Sequence, residues 1–410
     1  MDAHQVMLAQ QQRTIKILAL AQVLNGLGVA GTVAAGSLLV SSITDSETLA
    51  GLAQTSSVLG AAALAIPLAR LTARGGRRLA LSVGYLSGVL GSILAIIGGS
   101  SKLLPFMLIG TFLVGAASAA GYQARFAAID LASDEHRAKH LSFVVWGLTI
   151  GAVIGPNLMD PSGRIAESFG LPHLVGPYLI STITLLLSTF VIQLFLKPDP
   201  YLTARALRGE VGNEKREIKK ALRHIAENPR ALFAILAIST GHIAMVTIMV
   251  MTPVHMKHVD ATLTIIGLVI SIHVLGMYAF SPLVGSLSDR IGRINTIRTG
   301  VLTLLLAALV SGRAHADDAI QLGIGLFLLG LGWSFTLIAG STFLTESVTP
   351  EIKTSAQGAS DLVMNLSGAF GGAIAGVVIA TLSYGWLCAL AAIPVSLLGI
   401  WSLQVAKVNR

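Results

Sequence analysis

Two pairs of soft metal donors lie 28 residues apart in this 410-residue chain. Met245 and Met249 form one i,i+4 pair, and His273 and Met277 form the other. On an α-helix, residues four apart lie on the same face. Thioether sulfur and imidazole nitrogen favour Cu(I), whereas Mg and Ca prefer oxygen ligands. The residue types and their spacing therefore predict a copper site built from two helices.

Further sulfur and imidazole side chains surround the two pairs. The segment from His242 to Met277 contains five of the ten methionines and four of the ten histidines. We expect five of its side chains to relay an ion to the site: His242, Met251, His255, Met256 and His258. The alternative is structural, because methionine is an ordinary core filler and an intramembrane histidine often bonds to a neighbouring helix.

The composition indicates a membrane protein. The chain is 53% hydrophobic and 12% charged. In soluble domains the charged share is typically about 25%. Apolar runs of about 20 residues are long enough to cross a bilayer as helices. Twelve spans are predicted, at residues 15–42, 47–70, 79–99, 103–128, 139–160, 174–196, 230–256, 261–286, 296–312, 318–344, 354–381 and 383–405. The first has no small-residue cleavage site at its end, which favours a retained helix over a signal peptide.

The distribution of positive charge predicts the orientation. With the N-terminus in the cytoplasm, 24 of the 28 Lys and Arg residues fall on the cytoplasmic side. The exceptions are Lys102, Arg164, Lys257 and Arg313. Cytoplasmic loops carry an excess of Lys and Arg, so both termini are expected to be cytoplasmic. The net charge of +8 then matches anionic lipid headgroups, and no nucleic-acid partner is needed to explain it.

The two donor pairs are expected at the same depth in the membrane. Met245 and His273 each lie 14 residues from the turn near position 259, which is about 21 Å of helix. If the two helix faces meet, Met245, Met249, His273 and Met277 surround one ion. Neutral thioether and imidazole ligands hold Cu(I) without adding negative charge, which suits a transported ion that must be released.

The chain divides into two related halves. We predict an N-terminal half at 1–196, a cytoplasmic linker with an amphipathic helix at 197–229, and a C-terminal half at 230–410. The loop segment 69–78 corresponds to 285–294, and 130–137 corresponds to 346–353 at the same offset along the chain. Two loops that match at one offset indicate a duplicated six-helix unit.

The second copy of the first loop carries a recognisable pattern. Gly285, Asp289, Arg290, Gly292 and Arg293 resemble the Gly-x-x-x-Asp-Arg-x-Gly-Arg loop signature of the major facilitator superfamily. The first-half copy has Ala73 where the acid is expected. The resemblance implies an all-α fold of twelve transmembrane helices in two pseudo-symmetric halves, with the substrate site near the midplane.

Met-x-x-x-Met in span seven and His-x-x-x-Met in span eight resemble the CcoA-like copper importers of that superfamily. This resemblance implies a monomeric, non-enzymatic carrier in the bacterial cytoplasmic membrane that binds copper as its substrate and has no prosthetic group. It also implies a cytoplasmic copper acceptor and a role in cytochrome oxidase assembly. Relatives that lack the two motifs carry riboflavin, so the alternative is an organic-solute carrier.

A drug–proton antiporter is a second form of that alternative. Residues 147–156 resemble a Gly-rich antiporter signature, although small residues at this spacing also let helices pack closely. By the predicted boundaries no Asp or Glu lies deep in a span; Asp361 is the nearest. Since proton-coupled exporters commonly use a buried acid, this weakens the antiporter interpretation.

Arg125 is expected to steer a substrate or to extend to lipid phosphate. Cys388, the only cysteine, is assigned no role.

Overall fold

The computed structural model describes residues 3–45, 49, 52–209, 218–257 and 263–405. These residues form fifteen α-helices and three short 3-10 turns, and none of them lies in a β-strand. The helices are α1 Ala3–Thr44, α2 Leu52–Ser100, α3 Leu104–Ala127, α4 Arg137–Asn157, α5 Met159–Ser168, α6 Gly176–Phe195, α7 Pro200–Leu207, α8 Ile218–Glu227, α9 Pro229–Lys257, α10 Leu263–Tyr278, α11 Ser281–Ile291, α12 Arg293–Gly312, α13 Ala319–Ser347, α14 Lys353–Thr381 and α15 Tyr384–Val405. The predicted all-α class is confirmed.

Eleven helical segments in the described part of the chain are long and apolar enough to cross a membrane. One of them, α2, has 49 residues, or about 74 Å of helix, more than twice the thickness of a hydrocarbon core of about 30 Å. It breaks at Gly76, whose φ is 85° and ψ is 177°. Helix α2 therefore covers residues 52–70 of predicted span two and all of span three, so the eleven segments correspond to the twelve predicted spans.

The break at Gly76 has a counterpart at the equivalent position of the second loop copy. Gly292 separates α11 from α12 and has a φ of 84°. Glycine adopts positive φ at little cost because it has no Cβ. The loop predicted to be duplicated thus turns with the same backbone conformation in both copies.

The chain forms two compact units. The first comprises residues 1–133, 143–216 and 357–362, and the second comprises 134–142, 217–356 and 363–410. The domain boundaries drawn from the sequence at 196 and 230 stay a prediction. In the linker, residues 210–217 lie outside the described residues, whereas α8 is helical, with Ile225 buried and Leu222 exposed.

The core of the first unit is rich in alanine. Helix α2 packs on α3 and α6, and small side chains let their backbones approach closely. The buried alanines of this core are Ala21, Ala61, Ala117, Ala119, Ala120, Ala124, Ala127 and Ala128. In the Gly-rich segment, a Cβ on Gly151 would lie 2.5 Å from the Cα of Gly26 in α1. Close helix packing therefore accounts for this segment without an antiport signature.

Helix α13 forms the centre of the second unit. Helices α9, α10 and α12 all pack against it. Nearly every residue from Leu322 to Thr345 is buried, including Trp333 and the polar side chains Ser334, Ser341 and Thr342. Asp318 caps its start by accepting a hydrogen bond from the backbone N of Gln321 at 2.9 Å, which satisfies a helix-end donor. A buried, well-anchored α13 provides a fixed surface for the donors of α9 and α10.

Candidate functional site

The four predicted copper ligands lie on two helices of the second unit. Met245 and Met249 lie on α9, and His273 and Met277 lie on α10. His273 is completely buried, Met245 and Met277 are 4% and 7% exposed, and Met249 is half-buried. None of the four is a fully exposed, lipid-facing side chain.

The ring of His273 is oriented by a neighbouring helix. Its Nδ1 lies 2.8 Å from the carbonyl oxygen of Leu326 in α13. Because a carbonyl oxygen only accepts, Nδ1 carries the proton in this contact. In the neutral ring Nε2 then holds a lone pair, and this atom is buried with no hydrogen-bond partner among the described residues. A histidine that binds a metal usually donates its other ring nitrogen to a carbonyl or carboxylate in this way.

Met277 lies against α13 at the level of Gly330. A Cβ built on Gly330 would lie 3.1 Å from Cγ of Met277 and 2.8 Å from its backbone nitrogen. The absence of a side chain at Gly330 therefore allows α10 to come this close to α13. The position of both α10 donors depends on this contact.

The two donor helices are connected chiefly through α13. Both α9 and α10 pack extensively on α13, and they make little contact with each other. The expectation that α9 and α10 meet directly along their donor faces therefore gives way to an arrangement in which α13 positions both. Coordination of one ion by all four side chains stays a prediction. No group of three or more His, Cys, Asp and Glu side chains in the described chain is arranged to hold a metal.

Two of the expected relay histidines are engaged by aromatic residues. Nδ1 of His242 accepts a hydrogen bond from Nε1 of Trp333 at 3.1 Å. The ring of His255 stacks on Tyr384 with centroids 4.3 Å apart and an interplanar angle of 9°. The bond from Trp333 occupies the Nδ1 lone pair of His242, and Nε2 of His255 lies 3.4 Å from the carbonyl oxygen of Ala314. They favour the structural alternative at both histidines.

The other relay residues differ in their surroundings. Met256 is buried, with 1% of its surface exposed, and Met251 is half-buried. His258 lies outside the described residues. Cys388 is buried and is not in a disulfide.

The loop that resembles a family signature anchors a helix. The carboxylate of Asp289 accepts hydrogen bonds from the backbone nitrogens of Ala138 at 3.1 Å and Lys139 at 2.9 Å, at the start of α4. It also pairs with Arg293. Negative charge at a helix N-terminus satisfies exposed donors and complements the helix dipole. Gly285 contacts the same helix end at Ser142, and Arg290 is exposed.

Arginine–carboxylate pairs recur at the duplicated positions. In the first unit, Arg77 donates to Asp130 at 2.8 Å and 3.2 Å. In the second unit, Arg293 donates to Glu346 at 2.9 Å. The two arginines are separated by the same offset as the two loops, and so are the two carboxylate residues. The duplication that the sequence indicates is therefore present in the charge pairing as well as in the loop backbone.

The first unit also contains a buried network that the sequence analysis missed. Arg125 donates to Asp361 at 2.6 Å, and both side chains are almost completely buried. Gln123 donates to the second oxygen of Asp361 at 2.6 Å, and Arg77 donates to Gln357 at 2.7 Å. The expectation that Arg125 extends to lipid phosphate is wrong, because its guanidinium is buried against Asp361.

A signal for this network was present in the sequence. Asp361 lies eight residues into α14, or about 12 Å from its start, and ionisable residues at such depth almost always pair with one another. Arg125, close to the end of a helix that is otherwise apolar, was the available partner. The predicted span boundaries put Asp361 near a membrane surface, so its burial was not expected. In the structure Asp361 is completely buried.

The fold and loop geometry can be compared with known proteins. The family model of the Major Facilitator Superfamily matches residues 18–262 and 242–409. The chain belongs to the Major Facilitator Superfamily. It is 36% identical over 376 residues to the uncharacterized MFS-type transporter YddS of Bacillus subtilis strain 168, which covers 91% of this chain and 86% of the relative. It is also 36% identical over 400 residues to YdeG of the same organism, with 95% and 92% coverage.

A more distant relative is named for its substrate. The riboflavin transporter RfnT of Brucella anthropi is 26% identical over 359 residues, covering 86% of this chain and 85% of the relative. Among solved structures, the superfamily's proton:xylose symporter XylE has a TM-score of 0.75 at 16% identity, with 97% and 96% coverage. This structural similarity shows the fold alone. As a member of the Major Facilitator Superfamily, the chain is a multi-pass membrane transporter.

Proposed function

We propose that this transporter carries copper, as Cu(I), through a site made by Met245, Met249, His273 and Met277. The single observation that carries the proposal is Nε2 of His273, which is buried with no hydrogen-bond partner among the described residues while Nδ1 donates to Leu326. A buried polar atom without a hydrogen-bond partner lowers the stability of the folded protein. A ligand that binds to this atom would explain why it is buried. A bound soft cation would satisfy it.

The neighbouring donors favour a soft cation over other ligands. Met277 lies one helical turn from His273, and its buried thioether is a weak acceptor for N–H groups but a good ligand for Cu(I). Met245 supplies a second buried sulfur on α9. Because none of these ligands is charged, the ion's own charge is not neutralised, and release is easier than from a thiolate site.

The direction and setting of transport follow from the resemblance to CcoA-like importers and from charge distribution. We propose import across a bacterial cytoplasmic membrane with both termini in the cytoplasm, delivery to a cytoplasmic copper acceptor, and supply of copper for cytochrome oxidase assembly. The transporter acts as a monomer by alternating access. Copper is its substrate and not a resident cofactor.

Uptake of radiolabelled copper by reconstituted vesicles, with a reductant present, tests the proposal. His273→Asn retains a donor for the carbonyl of Leu326 but removes Nε2. Met245→Leu and Met277→Leu preserve volume and remove sulfur. Each variant is expected to lower uptake by about 10- to 100-fold, the usual effect of disturbing a metal site. Met107→Leu, a buried methionine of the first unit, is the matched control and should transport normally.

Two outcomes would contradict the copper proposal. The first is normal copper uptake by His273→Asn and by both Met→Leu variants. The second is a wild-type protein that is folded and membrane-inserted but moves no copper in vesicles.

Riboflavin transport is the second candidate, and the similarity to RfnT favours it. The described residues also include an aromatic group suited to a flat ring system: Trp333 bonds to His242 and packs edge-on against Tyr278, with centroids 5.7 Å apart. Riboflavin uptake in the same vesicles distinguishes the candidates. If riboflavin uptake is unchanged in His273→Asn and lower in Trp333→Ala, the protein is an organic-solute carrier and not a copper carrier.

A further inference from the structure

A groove runs along the outer surface of the first unit between α1 and α6. Its cavity volume is about 420 Å³. The residues that matter for its chemistry are Arg13, Lys16, Ile17, Leu20, Val191 and Phe195. None of them belongs to the proposed copper site, which lies in the other unit.

One end of the groove is positively charged. Arg13 and Lys16 are both exposed, in the early turns of α1. Nη2 of Arg13 donates to the carbonyl oxygen of Phe195, the last residue of α6, at 3.3 Å. Within the described part of the chain, neither side chain forms a salt bridge. The groove therefore presents two cations that no acidic side chain of the described residues neutralises.

The rest of the groove is apolar. Leu20 and Phe195 are 49% and 48% exposed, and Ile17 and Val191 lie partly buried beside them. From Arg13 to Leu20 the groove follows α1 for seven residues, about 10 Å. The groove thus has a positively charged end at Arg13 and Lys16 and an apolar part that extends from it along α1.

These features match one kind of ligand. In a protein that crosses a bilayer, the outer surfaces of α1 and α6 face lipid, and the residues at the helix ends lie at headgroup level. We propose that this groove binds one anionic phospholipid, with its phosphate on Arg13 and Lys16 and an acyl chain along Leu20 and Val191. A neutral lipid would leave the two cations uncompensated, and a free anion would leave the apolar part of the groove uncovered.

A second surface groove provides a matched control. It lies between α12 and α15, has a cavity volume of about 270 Å³, and includes Arg313 beside apolar residues such as Leu309. It has a single cation, whereas the α1–α6 groove has two. Loss of Arg313 should therefore leave anionic-lipid retention by the α1–α6 groove unchanged.

Native mass spectrometry of the purified full chain, titrated with phosphatidylglycerol or phosphatidylcholine of the same acyl length, tests the proposal. We expect the wild type to retain one phosphatidylglycerol in preference to phosphatidylcholine. Arg13→Gln combined with Lys16→Gln should lower that affinity by about 30-fold, from the usual contribution of each basic residue to anionic-lipid binding. Arg313→Gln should not change it. The double exchange Arg13→Lys with Lys16→Arg keeps both positive charges and should therefore retain most of the wild-type affinity.

Three results would overturn the proposal. Equal retention of the two lipids by the wild type would remove the role of charge. Unchanged retention by the double Gln variant, with a normal unfolding temperature, would place the lipid elsewhere. Displacement of phosphatidylglycerol by inorganic phosphate at matched concentration would show an anion site without an acyl-chain site.

Discussion

Arg77 and Asp130 are joined by two hydrogen bonds and are almost completely buried, with 0% and 1% of their side chains exposed. The equivalent pair in the second unit, Arg293 and Glu346, is 10% and 22% exposed. One duplicated interaction thus occurs in two environments. Since water screens charges less in a buried site, the two copies should differ in their contribution to stability.

Asp130→Asn is expected to destabilise the protein more than Glu346→Gln. The first substitution leaves Arg77 buried without its carboxylate, which costs about 3–5 kcal/mol. The second weakens a partly exposed pair, which contributes about 1 kcal/mol or less. The apparent midpoint of thermal unfolding in detergent should fall clearly for Asp130→Asn and slightly for Glu346→Gln. Equal shifts would show that burial does not distinguish the copies.

Removing one charge of the Arg125–Asp361 pair should destabilise the protein more than removing both charges. Asp361→Asn leaves the buried guanidinium of Arg125 without a counter-charge. Arg125→Met combined with Asp361→Val removes both charges and puts apolar side chains of similar size in their place, and such replacements of buried ion pairs are often tolerated. The double variant should therefore unfold at a higher temperature than Asp361→Asn. A double variant less stable than the single one would mean that the carboxylate's bond with Gln123 dominates.

Gly330→Ala should displace α10 from α13. An added methyl group would meet the backbone and Cγ of Met277, and overpacking of this kind costs about 1–3 kcal/mol. We expect lower stability and lower copper uptake, because the orientation of His273 depends on the same contact. Gly267→Ala, also on α10 but with open space around the new Cβ, is the control. It should be neutral or slightly stabilising, since alanine favours helix. Unimpaired uptake by Gly330→Ala would separate the substrate site from this helix contact.

Asp289→Ala should weaken the start of α4. The carboxylate accepts from two backbone nitrogens there and pairs with Arg293, so its loss is expected to cost about 2 kcal/mol. Asp318→Ala removes an exposed cap of α13 with one such bond and should cost nearer to about 1 kcal/mol. Both can be measured by thermal unfolding. A larger loss for Asp318→Ala would contradict the importance assigned to the duplicated loop.

Much of the fold could be predicted from local properties of the chain. Helix length and hydropathy are local properties of each segment, and the offset between the two loops is visible when distant segments of the same sequence are compared. These predicted the helical class and the number of crossings, and the matched φ values of Gly76 and Gly292 show the duplication directly. The merged helix Leu52–Ser100 was divided correctly because its polar centre was visible in the sequence.

The partners of the site residues could not be predicted in the same way. Spacing placed His273 and Met277 on one face of α10, but only the tertiary packing shows that this face meets α13 at Leu326 and Gly330. The same holds for His242, whose lone pair is used by Trp333, 91 residues away in sequence. Contacts between distant residues depend on how helices pack, and helical periodicity contains no information about which neighbour each face meets.

The sequence by itself determined that this chain crosses a membrane repeatedly, that it is built from a duplicated helical unit, and that soft donors are concentrated on α9 and α10. Those properties follow from transfer of apolar residues into lipid and from helix geometry, which act over a few turns. The tertiary structure alone decided which donors are oriented, which are engaged by aromatic rings, and that Arg125 and Asp361 are buried together. Each of these outcomes depends on desolvation and on partners brought together by packing, neither of which is a property of any single segment.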